Sequence, residues 1–215
     1  MKTAVIRDTI KLAKLEEQQH GHLAKLLERQ LQSNMHFAIQ LPEDNALQAL
    51  SEFVIAYIEN VPDFIDAART ITKEANIQEY SERFLKVAED YFIKPPEIIN
   101  GHIGLHELMD EAYLAHRLME EVNDRYMVRS SIPLIPMDMT MSNLIVHNLI
   151  GEPFANELDE AVNYTVMKSM PHESAYDTPE FRRYVEKHKN DHWEKESKHW
   201  PCLTDRLSIH LQLPL

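Results

Sequence analysis

Three histidine–glutamate patterns contain the side-chain types that bind metal ions in proteins. The most informative is His192, Glu196 and His199, whose spacing of four and then three residues places them on one face of a helix. Imidazole and carboxylate groups one turn apart can bind a single metal ion from one helix. The composition predicts this triple pattern only roughly 0.07 times by chance, so it has more weight than the shorter patterns.

Two pairs of the same residue types occur earlier, Glu17-x-x-His20 and His116-x-x-x-Glu120. A Glu-x-x-His pair is expected about once by chance and is not evidence by itself. Glu17 and His20 lie on an otherwise apolar seam, where a buried ionisable group needs a partner. A divalent metal ion between helices would satisfy all these groups, so the predicted ligands are Glu17, His20, His116, Glu120, His192, Glu196 and His199.

The elements that must position these residues are helices, beginning with a long N-terminal helix from about residue 4 to about residue 38. Its seam alternates steps of four and three residues, as in Ile6, Ile10, Ala13, Glu17, His20, Ala24, Leu27 and Leu31. Gly21 lies beside the two ionisable members and marks either a break or a point of close packing. This helix would present Glu17 and His20 to its neighbours.

Prolines divide the rest of the chain into helix-length segments. The predicted helices begin near residues 43, 62, 78, 97 or 102, 140, 154, 179 and 203, with the helix after Pro179 continuing to about Trp200. Only four glycines occur and no Asn-Gly or Asp-Gly pair exists, so no strand is predicted. His102 and His106, flanked by glycines, are expected at the surface. The prediction is one all-α domain, residues 1–215, forming a bundle of seven to nine helices.

Charge and composition exclude several functions. The formal charge of −13 argues against nucleic-acid binding and against docking on anionic lipid. No apolar run approaches the roughly 20 residues that a membrane helix needs. The few glycines form no Rossmann or P-loop fingerprint. A single cysteine and a charged N-terminus without a signal-peptide stretch lead us to expect a cytoplasmic protein.

The histidine–glutamate patterns resemble those of known metalloproteins. Paired Glu-x-x-His motifs on bundle helices are similar to those of ferritin-like di-iron carboxylate proteins. The pattern of His192, Glu196 and His199 resembles the last-helix motif of haem-oxygenase-like di-iron oxidases. The resemblance implies a helical bundle with iron as its divalent metal, activating dioxygen to act on a small organic substrate.

Two other functions fit the same sequence. The first is a non-catalytic helical module that forms a homodimer or docks another partner through its long helices. The second is a helical pocket for haem or another organic ligand, with one histidine as the axial ligand. Near-stoichiometric metal content, a haem absorbance band or the absence of both would distinguish the three functions.

Overall fold

The computed structural model is a bundle of helices, which confirms the all-α prediction. It describes residues 2–33, 35–99, 104–135, 137–169, 178–189, 203–206 and 209–212. Over these ranges the helices are α1 (Lys2–His20), α2 (His22–Ser33), α3 (Ala46–Glu74), α4 (Gln78–Ile93), α5 (Leu105–Ser130), α6 (Thr140–Ile150), α7 (Glu152–Ser169), α8 (Pro179–His188) and the short α9 (Leu203–Arg206). None of these helices is both long enough and apolar enough to cross a membrane.

The predicted N-terminal helix is divided in two at Gly21. Gly21 adopts a left-handed φ of +61°, a conformation that glycine takes at little steric cost and that ends an α-helix. The chain continues directly into α2, which ends at Ser33. A long N-terminal helix and the break at Gly21 are therefore confirmed. The predicted extent to about residue 38 is wrong, because one left-handed residue redirects the chain while the apolar pattern continues through it.

Pro62 lies inside α3 and does not begin a new helix, contrary to the prediction. Proline removes one backbone donor and usually bends a helix, but its φ is compatible with helical geometry. Val61, Phe64 and Ile65 are fully buried on either side of it. Burial of these side chains keeps α3 continuous through the position where one hydrogen bond is lost.

Helix α5 is the central element and packs against α1, α2, α3, α4, α6 and α7. Its apolar residues from Leu105 to Tyr126 are almost fully buried, and the polar His116 and Asn123 are buried with them. Asn123 holds the following loop, accepting a bond from Ile135 N–H and donating to the Ile135 and Met137 carbonyls. α5 therefore brings the polar groups of one helix near those of several others.

The C-terminal part departs from the prediction in two respects. The helix that begins at Pro179 ends at His188, with Lys189 as its C-cap, and does not continue to about Trp200. Thr178 caps α8 by accepting the Phe181 N–H, and Pro179 occupies the first turn, as the sequence indicates. No strand was predicted, yet β1 (Ile39–Gln40) pairs antiparallel with β2 (His210–Leu211). Such a two-residue pair is too short to produce an alternating sequence pattern, and packing against the bundle sets it.

Candidate functional site

Glu17, the first predicted ligand, caps the N-terminus of α2. Its two carboxylate oxygens accept the N–H groups of Leu23 and Ala24 at 2.8 and 3.0 Å. The first N–H groups of a helix lack partners within the helix and favour negative charge, so the carboxylate stabilises the start of α2. This contact follows from the break at Gly21, which places α2 within reach of the last turn of α1.

His20, the second predicted ligand, is exposed and stacks on His22 with ring centroids 5.6 Å apart. Its backbone carbonyl accepts a bond from the Lys25 ammonium at 2.9 Å. Glu17 and His20 therefore have different environments at the end of α1: one is engaged in a cap and the other faces solvent.

His116 is fully buried between aromatic rings in the core. Its ring lies 4.3 Å from the Tyr57 ring centroid and 5.2 Å from that of Phe64. Nε2 lies 2.9 Å from the Tyr57 carbonyl, which can only accept, so Nε2 carries the proton and donates. Burial lowers the pKa of His116 to about 4, with the Tyr57 carbonyl partly opposing this effect, and the imidazole is neutral.

Glu120 belongs to a chain of polar contacts joining α3, α5, α6 and α7. Its carboxylate accepts from Arg117 at 2.5 Å and from the Asn143 amide at 2.6 Å. Asn143 in turn accepts from the buried Tyr57 hydroxyl at 2.6 Å, and Arg117 also donates to Asp159 at 2.9 Å. Each of these five groups has a protein partner, so the chain serves to fix four helices relative to one another.

His192, Glu196 and His199 lie outside the described residues, and their role as ligands stays a prediction. The sequence places them on one face of the predicted helix after Pro179, of which the structure shows the first part as α8. Phe181 and His188, three turns and one turn before His192 along the sequence, are buried. The face of α8 that includes Phe181 and His188 therefore turns inward up to residue 188, where the helix ends.

A different group of histidine and carboxylate side chains meets where α1 ends and α5 begins. A side-chain carbon placed on Gly104 would lie 2.9 Å from Glu107 Oε2, 3.4 Å from Glu16 Oε2 and 3.4 Å from His106 Nδ1. His22 Nδ1 lies 3.3 Å from Glu16 Oε1, and His106 Nδ1 lies 2.7 Å from Glu107 Oε2. Three donor atoms from two helices thus surround the space beside Gly104. We name these five residues the Gly104 cluster.

Local structure explains how the cluster forms. Glu107 is the third residue of α5, and its carboxylate accepts the Gly104 N–H at 3.1 Å, as glutamate often does at this position. Glu16 precedes the capping residue Glu17 by one position, so its side chain points about 100° away from the α2 N-terminus. Glu16 Oε2 is buried and accepts no hydrogen bond from the described residues. That oxygen is an acceptor available for a further ligand.

Two more carboxylates follow Glu107 on α5. Burial, together with the Glu107 carboxylate, raises the pKa of Asp110 to about 7. Burial and the carboxylates of Asp110 and Glu107 raise the pKa of Glu111, whose side chain is fully buried, to about 9. Strongly shifted groups beside a histidine–carboxylate cluster are typical of functional sites.

The cluster is not a preformed coordination shell. Within the ranges that the structure describes, no three histidine, cysteine, aspartate or glutamate side chains form a group that could hold a metal ion as they stand. Glu17, His20, His116 and Glu120 are among the described residues, and they do not meet as a group. At the Gly104 cluster, the donor atoms lie 2.9–3.4 Å from the position that a side-chain carbon on Gly104 would occupy. They would have to move closer to bind a metal ion placed there.

Sequence reasoning missed the Gly104 cluster because its members share no regular spacing. Glu16 and His22 lie on either side of the helix break, and His106 and Glu107 are adjacent on the next participating helix. The Gly104-x-x-Glu107 pattern marks a helix start, and this was the one available signal. His106 is 41% exposed in its side chain, in accord with its expected place near the surface.

Comparisons with models of protein families, with curated proteins and with solved structures find no match to this chain.

Proposed function

We propose that this chain is a metal-dependent helical protein of the oxidase or oxygenase kind that acts on a small organic substrate. The observation that carries the proposal is the convergence of Glu16, His106 and Glu107 on the space beside Gly104. Carboxylate and imidazole donors suit iron and other divalent metal ions. The resemblance of His192, Glu196 and His199 to the di-iron oxidase motif favours iron.

The chemistry of the donor set fits a cation. Glu16 and Glu107 each bring a carboxylate to the space, and the carboxyl groups of Asp110 and Glu111 follow Glu107 on α5. Burying carboxylates near one another is unfavourable without positive charge, which is why the pKa values of Asp110 and Glu111 are raised. A divalent cation at the cluster would favour the ionised carboxylates and so lower these pKa values, and its binding would stabilise the folded chain.

Each side chain of the site has a separate role in this proposal. Glu16 and Glu107 would bind the metal, joined by His106 and His22, and iron would supply the dioxygen chemistry. Glu107 also holds the Gly104 N–H, which fixes the start of α5. Asp110 and Glu111, whose pKa values are raised, would hold protons near the ligands.

The decisive experiment measures metal content by elemental analysis after expression in iron-supplemented medium. Gly104→Ala fills the space between the donors without removing a ligand, and its φ of −129° is one that alanine adopts readily. We expect near-stoichiometric iron in the wild type and little in Gly104→Ala and Glu16→Gln. Glu28→Gln, a surface substitution on α2, is the matched control and should retain the metal.

Two results would contradict this assignment. Iron-free wild-type protein whose thermal stability is unchanged by added Fe²⁺ would remove the metal function altogether. Wild-type metal content in Gly104→Ala and Glu16→Gln would place the metal elsewhere. The double variant His192→Ala with His199→Ala then tests the predicted motif, and loss of metal there alone would assign the site to that motif.

The second candidate function is a helical dimerisation module that forms a homodimer. The observation that favours it is the outer face of α1, where Val5, Leu12 and Leu15 are exposed although the opposite face of the same helix is buried in the core. A helix that is apolar on two opposite faces usually has a partner on each. The oligomeric state at increasing protein concentration tests this function independently of metal content.

A further inference from the structure

Helix α1 has two apolar faces. Ile6, Ile10 and Ala13 are buried against the bundle. On the opposite side Val5, Leu12 and Leu15 have 53, 67 and 47% of their surface exposed. Leu12 follows Val5 by seven residues and Leu15 follows Leu12 by three, which is the spacing by which a helix contacts a second helix. We name these three residues the outer stripe.

The charges along α1 differ in their pairing. Lys2, Arg7 and Lys14 form ion pairs at 2.6 to 2.9 Å with carboxylates of α3 and α4. Asp8 and Lys11 flank Leu12 on the exposed side, and neither forms an ion pair within the described part of the chain. One negative and one positive group, three residues apart, therefore lie beside the outer stripe without an ion-pair partner among the described residues.

We propose that the outer stripe is the contact surface of a homodimer in which α1 packs antiparallel against α1 of a second copy. In this arrangement Val5 faces Leu15 of the second copy, and Leu12 lies beside Asp8 of the second copy. Asp8 of each chain then approaches Lys11 of the other, so two opposite-charge contacts form by symmetry. A parallel arrangement would bring Asp8 against Asp8 and is disfavoured.

A groove beside the stripe enlarges this surface. It lies between α1 and α3 and has a volume of about 480 Å³. Its lining combines the apolar Ile10, Leu15 and Pro62 with six polar or charged side chains, Lys11 among them. Two short helices alone bury less than the roughly 1,200 Å² of a stable interface, so side chains entering this groove must contribute. The expected dimer is therefore weak and depends on concentration. The inference rests on the second proposed function, since it names the surface and the orientation.

Sedimentation velocity over a range of protein concentrations tests the proposal on the full chain. We expect the wild type to shift from monomer to dimer and Leu12→Glu to stay monomeric. Asp8→Lys and Lys11→Asp each place like charges together and should weaken association. The double variant Asp8→Lys with Lys11→Asp exchanges both charges and should restore it, which a loss of folding could not do. Met167→Glu, at an apolar site on α7 that is 70% exposed, is the control and should dimerise normally.

The possible results distinguish failure of the proposed contact surface from failure of the dimerisation function. Wild-type protein that is monomeric at every concentration overturns both the dimer and this surface. A dimer that persists in Leu12→Glu overturns the surface alone and leaves dimerisation through another face. Failure of the charge exchange to restore association, with Leu12→Glu monomeric, overturns the antiparallel orientation. Circular dichroism of each variant confirms that the helices are intact.

Discussion

Replacing Glu111 by glutamine should stabilise the protein increasingly as the pH rises. Glu111 is fully buried, and its pKa is about 9 in the folded chain. The ordinary glutamate value of 4.5 applies after unfolding. Between these two values the folded chain holds a proton that the unfolded chain releases. The stability associated with this group is therefore complete below about pH 4.5 and declines as the pH rises toward 9. Glutamine keeps the shape of the protonated side chain but cannot lose a proton.

The size of the effect follows from the two pKa values. At pH 7 the unfavourable protonation of Glu111 on folding amounts to about 3 kcal/mol, and at pH 5 to about 1 kcal/mol. The free energy of unfolding of Glu111→Gln, relative to the wild type, should therefore increase by about 2 to 3 kcal/mol between pH 5 and pH 7. Any constant effect of the amide itself cancels in this comparison.

Urea unfolding followed by circular dichroism, at both pH values and with a chelator present, measures this difference. Glu28→Gln is the control, because its exposed carboxylate has no part in the cluster. A difference between Glu111→Gln and the wild type that stays constant or shrinks as the pH rises would refute the reasoning. It would mean that Glu111 is ionised in the folded chain and that burial does not govern its protonation.

Three further substitutions test the structural contacts. Glu17→Gln weakens the cap of α2 and should lower the free energy of unfolding by about 1 kcal/mol in urea titrations, while leaving metal content unchanged. Tyr57→Phe removes the hydroxyl that donates to Asn143 and should destabilise by about 1 to 3 kcal/mol, measured in the same way. Asn123→Ala releases the loop that follows α5, and faster hydrogen exchange at the Ile135 amide should report it.

The helical bundle is predictable from the sequence because the residues that begin and end helices act locally. Proline positions, the cap at Thr178 and the break at Gly151 coincide with observed helix ends. Pro62 shows the limit of the same logic, since the burial of its neighbours outweighs the local effect of proline. Packing between distant elements decides this outcome, and a single sequence contains no direct record of it.

The candidate site could be predicted only in its chemistry. Metal-binding residue types on α1 and α5 were expected to converge, and these helices do contact each other. On α1 the residue that joins the cluster, Glu16, is adjacent to the predicted Glu17, which forms the cap. On α5 the participating His106 and Glu107 lie about three turns before the predicted His116 and Glu120. A rotation of about 100° separates adjacent helix positions, so the break at Gly21 determines which glutamate faces which neighbour. Helical periodicity assigns a face only when the helix continues, and here it does not.

The same carboxylates make the response to metal depend on pH in a defined direction. Without metal, stability should decline from about pH 4 to about pH 7 because Asp110 and Glu111 are both protonated in the folded chain over this range, and further toward pH 9 because of Glu111 alone. A divalent ion at the Gly104 cluster favours ionised carboxylates and neutral histidines, so metal binding releases protons and strengthens as the pH rises. Added Mn²⁺, a redox-stable substitute for Fe²⁺, should therefore raise the melting temperature more at pH 8 than at pH 5, and the gain should be lost in Gly104→Ala. Equal stabilisation at both pH values, or an undiminished gain in Gly104→Ala, would show that the ion binds away from this cluster.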